Sequence, residues 1–321
     1  MRYVYTCLGL ALVLAGPAAA QAQKPLNDSV KVDKEQFNLF HPTPRKYMRP
    51  MVPDRPGITE SPYSVDAGHF QYESDGLRLL TRREGATQGR DWYVNHALAK
   101  IGLTNKTDFQ VQFDSYTTTH IYDEADPSVS QRAHGAGDVT LRLKHTLFGD
   151  DDSRWALGVI GYVELPTGPM GDGGYEPGLV VPAIFQISKD WTAGGQVEAN
   201  LYFDREQSQH YVQLTPTLTT DYAFNKVLEA FIEVVGYRDL RASEWRGSVN
   251  VGPQFDIGDN LQLDFGAHLP LTHGVDHEFF VGFSFRRWRS CALRAQWLAA
   301  SPTGEVLPPL WAQGGRPSAQ L

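Results

Sequence analysis

Hydrophobic and polar residues alternate along most of this chain, from about residue 69 to residue 286. Near the end of this region, for example, Leu261, Leu263 and Phe265 alternate with Gln262 and Asp264. A period of two is typical of β-strands that have one apolar and one polar face. The pattern predicts twelve strands, at residues 69–80, 91–103, 108–119, 137–148, 154–165, 178–188, 191–203, 210–223, 227–238, 246–257, 261–271 and 277–286.

Beyond the first two dozen residues, no segment is apolar enough to cross a membrane as a helix. Backbone N–H and C=O groups in lipid must pair within the protein, so strands can span a membrane only as a closed sheet. Amphipathic runs of about ten residues therefore predict an all-β fold. We expect a transmembrane antiparallel up-and-down β-barrel of about twelve strands, with both termini periplasmic.

The connections between these runs are predicted to alternate between short turns and longer loops. The five short turns, at 104–107, 149–153, 188–190, 224–226 and 258–260, are rich in Asn, Asp and Gly, which favour tight turns. The six longer links lie near 81–90, 120–136, 166–177, 204–209, 239–245 and 272–276. An even barrel with periplasmic termini would place every short turn at the periplasmic end.

The ends of the chain differ from the barrel region. Residues 1–22 carry Arg2, a short apolar core and small residues at Ala20 and Ala22, which is typical of a secretory signal peptide. Residues 23–68 are polar and rich in proline, which cannot donate to a strand ladder, so we interpret them as a periplasmic or lumenal segment. The barrel is assigned to residues 69–286. Residues 287–321 lack a strand period and form an extension of unknown role.

Composition narrows the function further. A net charge of −8 gives no basic surface for nucleic acid. Removal of the signal peptide would leave Cys291 as the only cysteine, so no intramolecular disulfide is expected. The predicted location is the cell outer membrane. The predicted partners are outer-membrane lipid and lipopolysaccharide, the barrel-assembly machinery and a small-molecule solute, and no cofactor is predicted.

Three motifs carry a resemblance to a known family. They are DRPGITESPYSV at 54–65 followed by AGHFQYE at 67–73, GAGDV at 135–139, and ELPTG at 164–168. In these motifs, and over roughly residues 54–285, the chain resembles the outer-membrane transporter family named for the meta-pathway of phenol degradation. The resemblance implies an outer-membrane barrel associated with uptake of small, phenolic or hydrophobic molecules. Such barrels usually end on an aromatic residue, here Phe285, whereas this chain continues for 36 residues beyond it.

Alternation also predicts which polar side chains face the lumen. The candidates for pore-lining or substrate-binding residues are Asp114, Arg142, Lys144, Glu198, Glu229, Glu233, Asp264 and His268. Acidic groups outnumber basic ones on the predicted inner face, which favours cations or neutral solutes over anions. The alternative interpretation is that these groups only solvate and cross-link the interior.

The proline-rich segment contributes a second set of candidates, Asp54, Arg55, Glu60 and Ser61. One interpretation makes this segment a plug or gate in the lumen, with Arg55 paired to an interior carboxylate such as Glu229 or Glu233. The other makes it a periplasmic tether that caps the first strand.

The sequence thus predicts a passive outer-membrane channel or facilitator for small solutes, aromatic or hydrophobic ones included. The alternatives are a barrel enzyme acting on lipids and a structural or adhesion barrel. No His-x-Ser pair is present, and no covalent chemistry is expected. The cation sites considered, His273 and His277 with Asp276 and the acidic loop 123–126, are more simply interpreted as solvated side chains, so no metal site is predicted.

Overall fold

The computed structural model describes residues 32–287, with gaps at 124, 127, 129, 150 and 152. The predicted signal peptide, Cys291 and the predicted extension beyond Arg287 lie outside this range. Two 3₁₀ turns, Lys34–Gln36 and Arg45–Tyr47, precede the strands. Among the described residues, no helix combines the length and the apolar character needed to cross a bilayer.

The strands form one antiparallel sheet that closes on itself. Strands that are neighbours in sequence pair with each other, with one exception described below, and the first strand pairs with the last to complete the barrel. The strands are β1 (Phe70–Glu84), β2 (Thr87–Gly102), β3 (Thr107–Asp123), β4 (Ser130–Gly135), β5 (Val139–Phe148), β6 (Trp155–Leu165), β7 (Glu176–Gln186), β8 (Trp191–Asp204), β9 (Gln209–Ala223), β10 (Leu228–Asp239), β11 (Arg246–Asp256), β12 (Leu261–Pro270) and β13 (His277–Arg287).

Two of these thirteen elements share one position in the wall. Both β4 and β5 pair antiparallel with β3, the first beside Thr117–Tyr122 and the second beside Thr107–Phe113. They are therefore two pieces of one interrupted strand, and the barrel has twelve strands around its circumference. This confirms the predicted all-β fold and its strand number.

The strand predicted at 137–148 begins at Val139, and residues 136–138 separate it from β4. There Asp138 Oδ1 accepts hydrogen bonds from the backbone N–H of Thr167 at 2.8 Å and of Gly168 at 2.7 Å. A Cβ on Gly168 would lie only 2.1 Å from the carbonyl oxygen of Gly137, so this approach requires glycine. The GAGDV and ELPTG motifs thus meet at one corner of the wall.

The predicted alternation of short and long connections is wrong. The link expected near 81–90 is a two-residue turn, because β1 continues to Glu84 and β2 begins at Thr87. Gly85 has a φ of +61°, a conformation that suits a tight hairpin. The link expected near 120–136 is also partly strand. Polar residues at that end of the barrel extend the hairpins beyond the apolar belt. A prediction based on apolar alternation therefore ends these strands too early.

The two faces of the wall have opposite character. Outward-facing apolar side chains are exposed, for example Leu218 (74%), Val197 (55%) and Val234 (52%). Inward-facing polar side chains such as Lys144 and Asn250 are fully buried. An exposed apolar belt around a polar interior is the arrangement that a barrel in lipid requires.

Candidate functional site: the barrel lumen

Residues 49–66 lie inside the barrel. The proline-rich sequence cannot join the sheet, so its backbone N–H groups need other partners. Side chains of the wall supply them: Val65 N–H donates to Asp108 Oδ2 at 2.7 Å, and Ser64 N–H to Thr146 Oγ1 at 3.1 Å. The backbone also passes so close to the wall that a Cβ at Gly102 would lie 2.2 Å from the carbonyl oxygen of Asp66.

Within this segment, residues 54–61 form what we call the lumenal loop. Its base is closed where Ser61 N–H donates to Asp54 Oδ1 at 2.9 Å. Lys144 Nζ donates to Asp54 Oδ2 at 2.6 Å and to the Ser61 carbonyl oxygen at 2.8 Å, and Lys100 also pairs with Asp54. Burial alone would raise the pKa of Asp54, but the two ammonium groups outweigh it and hold that pKa below its usual range.

Arg55 anchors the loop to a neighbouring part of the wall. Its Nε donates to Asp264 Oδ2 at 2.9 Å, and its guanidinium also pairs with Asp75. A Cβ on Gly282 would lie 1.9 Å from Arg55 Nη2, so glycine makes room for this group.

The predicted pairing of Arg55 with Glu229 or Glu233 is therefore wrong. Alternation identifies carboxylates that face the lumen, but it does not identify where around the circumference each one lies.

The tip of the loop reaches the far wall. The N–H groups of Ile58 and Thr59 donate to Glu233 at 2.9 and 2.6 Å. Gln196 binds the backbone of the same tip through both ends of its amide. Its Oε1 accepts from Glu60 N–H at 2.8 Å, and its Nε2 donates to the Ile58 carbonyl oxygen at 2.9 Å. The loop thus crosses the lumen from β1, β2 and β5 to β8 and β10.

The return of the loop is held by Arg142 on β5. This guanidinium forms an ion pair with Glu60 and donates to Gln112 Oε1 at 2.8 Å. The four residues predicted in the proline-rich segment, Asp54, Arg55, Glu60 and Ser61, are therefore all part of the loop. They contact one another or the wall inside the lumen, and the segment is not a periplasmic tether.

Two cavities lie on opposite sides of the loop, and both are lined by Arg55, Pro56, Gly57 and Glu60. The upper cavity, of about 470 Å³, extends toward the connection 271–276 between β12 and β13. The lower cavity, of about 370 Å³, extends toward the turns at the other end of the barrel, near Ser153 and Arg154. The lumenal loop is the structure that separates them.

The remaining predicted residues are spread over the lumen. Glu198 and His268 line the upper cavity and Glu229 the lower one. His268 Nδ1 lies 3.3 Å from Glu278 Oε1, and Asp114 pairs with His96 on the adjacent strand.

Three charged residues at the loop or its flanks were missed in the prediction, namely Asp75, Lys100 and Asp108. Lys100 is the clearest case, because it stands between Ala99 and Ile101. Strict alternation through β2 would have placed it inside. The same reasoning applies to Asp75, which follows the buried Glu73 by two residues and therefore lies on the same face of β1.

His120 and Asp276 each contact a neighbouring side chain. His120 Nε2 lies 3.2 Å from Ser130 Oγ at an exposed position, and the imidazole lies beside the ring of Tyr122. Asp276 lies 3.5 Å from the Nε of Arg82. Over residues 32–287, apart from the gaps, no group of three or more His, Cys, Asp or Glu side chains is placed to hold a metal ion.

Comparison with solved structures identifies the fold. An outer membrane channel from Pseudomonas putida F1 matches with a TM-score of 0.57 and 13% identity, over 73% of this chain and 99% of that chain. A KdgM porin matches at 0.40 and 10%, over 68% and 98%. The CymD monoaromatic hydrocarbon channel matches at 0.41 and 9%, over 69% and 88%. The first likeness confirms the predicted outer-membrane type of barrel.

Comparison with sequences gives the family. No curated protein matches the chain. One family model matches residues 53–285, from the residue before the lumenal loop to the end of the barrel. Since that match covers more than half of the sequence, the chain belongs to the family described as "Putative MetA-pathway of phenol degradation".

Proposed function

We propose that the protein is an outer-membrane channel for passive passage of small solutes and that the lumenal loop is its gate. The observation that carries this proposal is the pair of cavities, one toward each end of the barrel, with residues 55–60 between them. A solute that enters either cavity meets the loop before it can reach the other.

The way the loop is held supports gating. Its recorded contacts with the wall run through side chains such as Glu233, Gln196 and Arg142. No strand pairing of the sheet includes residues 54–61 within the described part of the chain. The loop can therefore leave its position while the barrel keeps every ladder hydrogen bond. The cost of opening comes from side-chain interactions with the wall, including the ion pairs of Asp54 and Arg55.

The character of the lumen supports a solute class. Polar and acidic side chains line both cavities, which favours cations and neutral polar molecules over anions. The family description refers to phenol degradation, and a neutral phenol is compatible with this lining. The structural relative from Pseudomonas putida F1 is named an outer membrane channel, which agrees with passive passage.

The test is single-channel recording on the full chain with Glu233→Ala. This change removes the acceptor for two loop N–H groups. Hydrogen bonds to charged groups contribute about 1.5–3 kcal/mol, so the open fraction should rise about tenfold or more.

The matched control is Asp221→Ala. It removes a carboxylate that lines the lower cavity. Among the described residues this carboxylate accepts a hydrogen bond only from Gln254, which is not part of the loop. The control should open as rarely as the wild type. Absence of current from all three proteins, each folded as judged by heat-modifiable migration, would contradict the channel.

A further inference from the structure

A third cavity, of about 160 Å³, lies in the lumen against β5, β6, β7 and β8. The strand register builds its wall in rows. Thr140, Glu164 and Glu176 are successive partners across β5, β6 and β7, and Arg142, Tyr162 and Gly178 form the row below them. Glu176 begins β7 directly after the connection 166–175, so the cavity lies near that end of the barrel.

The wall of this cavity offers mainly hydrogen-bond acceptors. Four carboxylates line it. Glu60 is paired with Arg142, and the other three are Glu164, Glu176 and Glu198. Their recorded partners are neutral donors: the hydroxyl of Thr140 at 3.1 Å, the N–H of Phe203 at 2.7 Å and the hydroxyl of Tyr162 at 2.7 Å.

No Lys or Arg of the described residues forms an ion pair with these three carboxylates. Arg142 borders the same cavity, but its charge is matched by Glu60. Carboxylates facing a shared cavity without counter-charges repel one another, and a cation placed between them relieves that repulsion.

A second, independent observation comes from Asn200. Its side chain is 95% buried, since only 5% is exposed, and it lines the cavity. Nδ2 donates to the Tyr202 hydroxyl at 2.9 Å, but Oδ1 has no hydrogen-bond partner among the described residues. A buried amide oxygen without a donor is unfavourable by itself and indicates a ligand that brings N–H groups.

Glycine at position 178 makes this geometry possible. A Cβ there would lie 2.2 Å from Cζ of Tyr162 and 2.6 Å from Oδ1 of Asn200. Without a side chain at 178, Tyr162 can lie across β7 and reach Glu198 on β8. Two tyrosine rings, Tyr162 and Tyr202, therefore border the carboxylates.

We propose that this cavity binds small organic ammonium ions as they pass through the lumen. An ammonium group supplies several N–H donors and one positive charge, which matches three carboxylates and the unpartnered oxygen of Asn200. Tyrosine rings beside it favour a cation that carries an aromatic or alkyl group. The inference rests on the proposed channel function and deepens it by naming the solute class that the lumen recognises.

The experiment is isothermal titration of the refolded full chain in detergent with benzylamine at about pH 8, where alkylamines are protonated. Benzyl alcohol, which has the same shape but no charge, is the comparison ligand. Benzylamine should bind saturably and benzyl alcohol at least about tenfold more weakly, a factor that corresponds to 1.4 kcal/mol. Equal binding of the two ligands would overturn the proposal, because the site would then recognise the ring and not the charge.

Two variants and one control locate the binding. Glu198→Gln removes one carboxylate, and Gly178→Ala displaces Tyr162 without changing any charge. Each should weaken benzylamine about tenfold, whereas Asp221→Asn in the lower cavity should leave the affinity within about twofold. Wild-type affinity in folded Glu198→Gln and Gly178→Ala would overturn the site.

Bilayer recording separates this inference from the channel itself. Steady current through a protein that does not bind benzylamine would overturn the ammonium site and leave the channel standing. Saturable binding that both variants abolish, in a protein that never conducts, would support the site and overturn the channel.

Discussion

The two halves of the barrel wall differ in whether their buried charges form ion pairs. On the contiguous strands β12, β13, β1, β2, β3 and β5, which we call the paired wall, most lumenal charges form ion pairs. Lys100 contacts both Glu73 and Asp54, and Arg78 contacts both Asp75 and Glu278. On β6–β11, which we call the unpaired wall, the lumenal carboxylates form no ion pair with any Lys or Arg of the described residues. They are Glu164, Glu176, Glu198, Asp221, Glu229, Glu233 and Asp256.

This difference indicates that one wall anchors the loop and the other faces the solute. Buried ion pairs are costly to break, because one partner is left charged and desolvated, so the paired wall fixes the base of the lumenal loop. Carboxylates without counter-charges add little rigidity but present a negative surface to a solute. The loop contacts the unpaired wall only at its tip, where Glu233 and Gln196 bind neutral peptide groups. Removing a charge from the paired wall should therefore mainly lower stability, whereas removing one from the unpaired wall should mainly change transport.

The largest effect is expected from Lys144→Met on the paired wall. Lys144 is fully buried and holds both Asp54 and the Ser61 carbonyl oxygen. Its loss leaves Asp54 with Lys100 alone, so the free energy of unfolding should fall by about 3 kcal/mol. Urea unfolding followed by heat-modifiable migration measures this change. An equal loss in Asp221→Asn would contradict the distinction between the walls.

The sequence pattern was sufficient to identify this wall in part. Alternation placed Arg142, Lys144 and Asp264 on the inner face, and all three are buried in the structure. One misplaced charge in lipid is costly enough to fix the register of such strands. It also predicted the strand number and most strand bounds.

The partners of these residues could not be predicted in the same way. Arg55 binds Asp75 and Asp264 because β1 and β12 are separated only by β13, and that adjacency exists only after closure. The course of residues 54–61 depends on hydrogen bonds to seven different strands, β1, β2, β5, β8, β9, β10 and β12. Local pattern carries no information on such contacts, and so the choice between a plug and a tether stayed open.

A smaller effect is expected from Gly282→Ala, which changes no charge. The new Cβ would lie 1.9 Å from Arg55 Nη2 and would force the guanidinium away from Asp264. Overpacking of this kind typically costs about 1–3 kcal/mol. We expect a matching loss in urea stability together with more frequent opening in single-channel records.

Gly161→Ala is the control for this change. A Cβ at position 161 has no atom within 4 Å, so both measurements should match the wild type. If the two alanine variants behave alike, the close fit between Arg55 and Gly282 does not hold the loop.

On the unpaired wall the expected effect moves from stability to selectivity. The double change Glu229→Gln and Asp256→Asn removes two carboxylates that line the lower cavity. Stability should change by less than about 0.5 kcal/mol, since no ion pair is broken. The reversal potential in a salt gradient should shift toward anions. A loss of stability as large as that of Lys144→Met, or an unchanged reversal potential, would contradict the assignment.

The smallest effect is expected from mild acid, and its sign follows from Asp54. Lys100 and Lys144 hold the pKa of this carboxyl below its usual range, although burial opposes them. A group whose folded-state pKa is lowered contributes stability that is fully present above its unfolded value, about 3.9, and is lost as the pH falls through the folded value. Acidification from about pH 7 to pH 5 should therefore leave the base of the loop in place, and the open probability in single-channel records should not change.

In Asp54→Asn, which removes the charge at every pH, openings should be frequent throughout this range. If wild-type openings instead increase between pH 7 and 5 to the level of Asp54→Asn, the two lysines do not keep Asp54 ionised, and the paired wall is not what holds the loop.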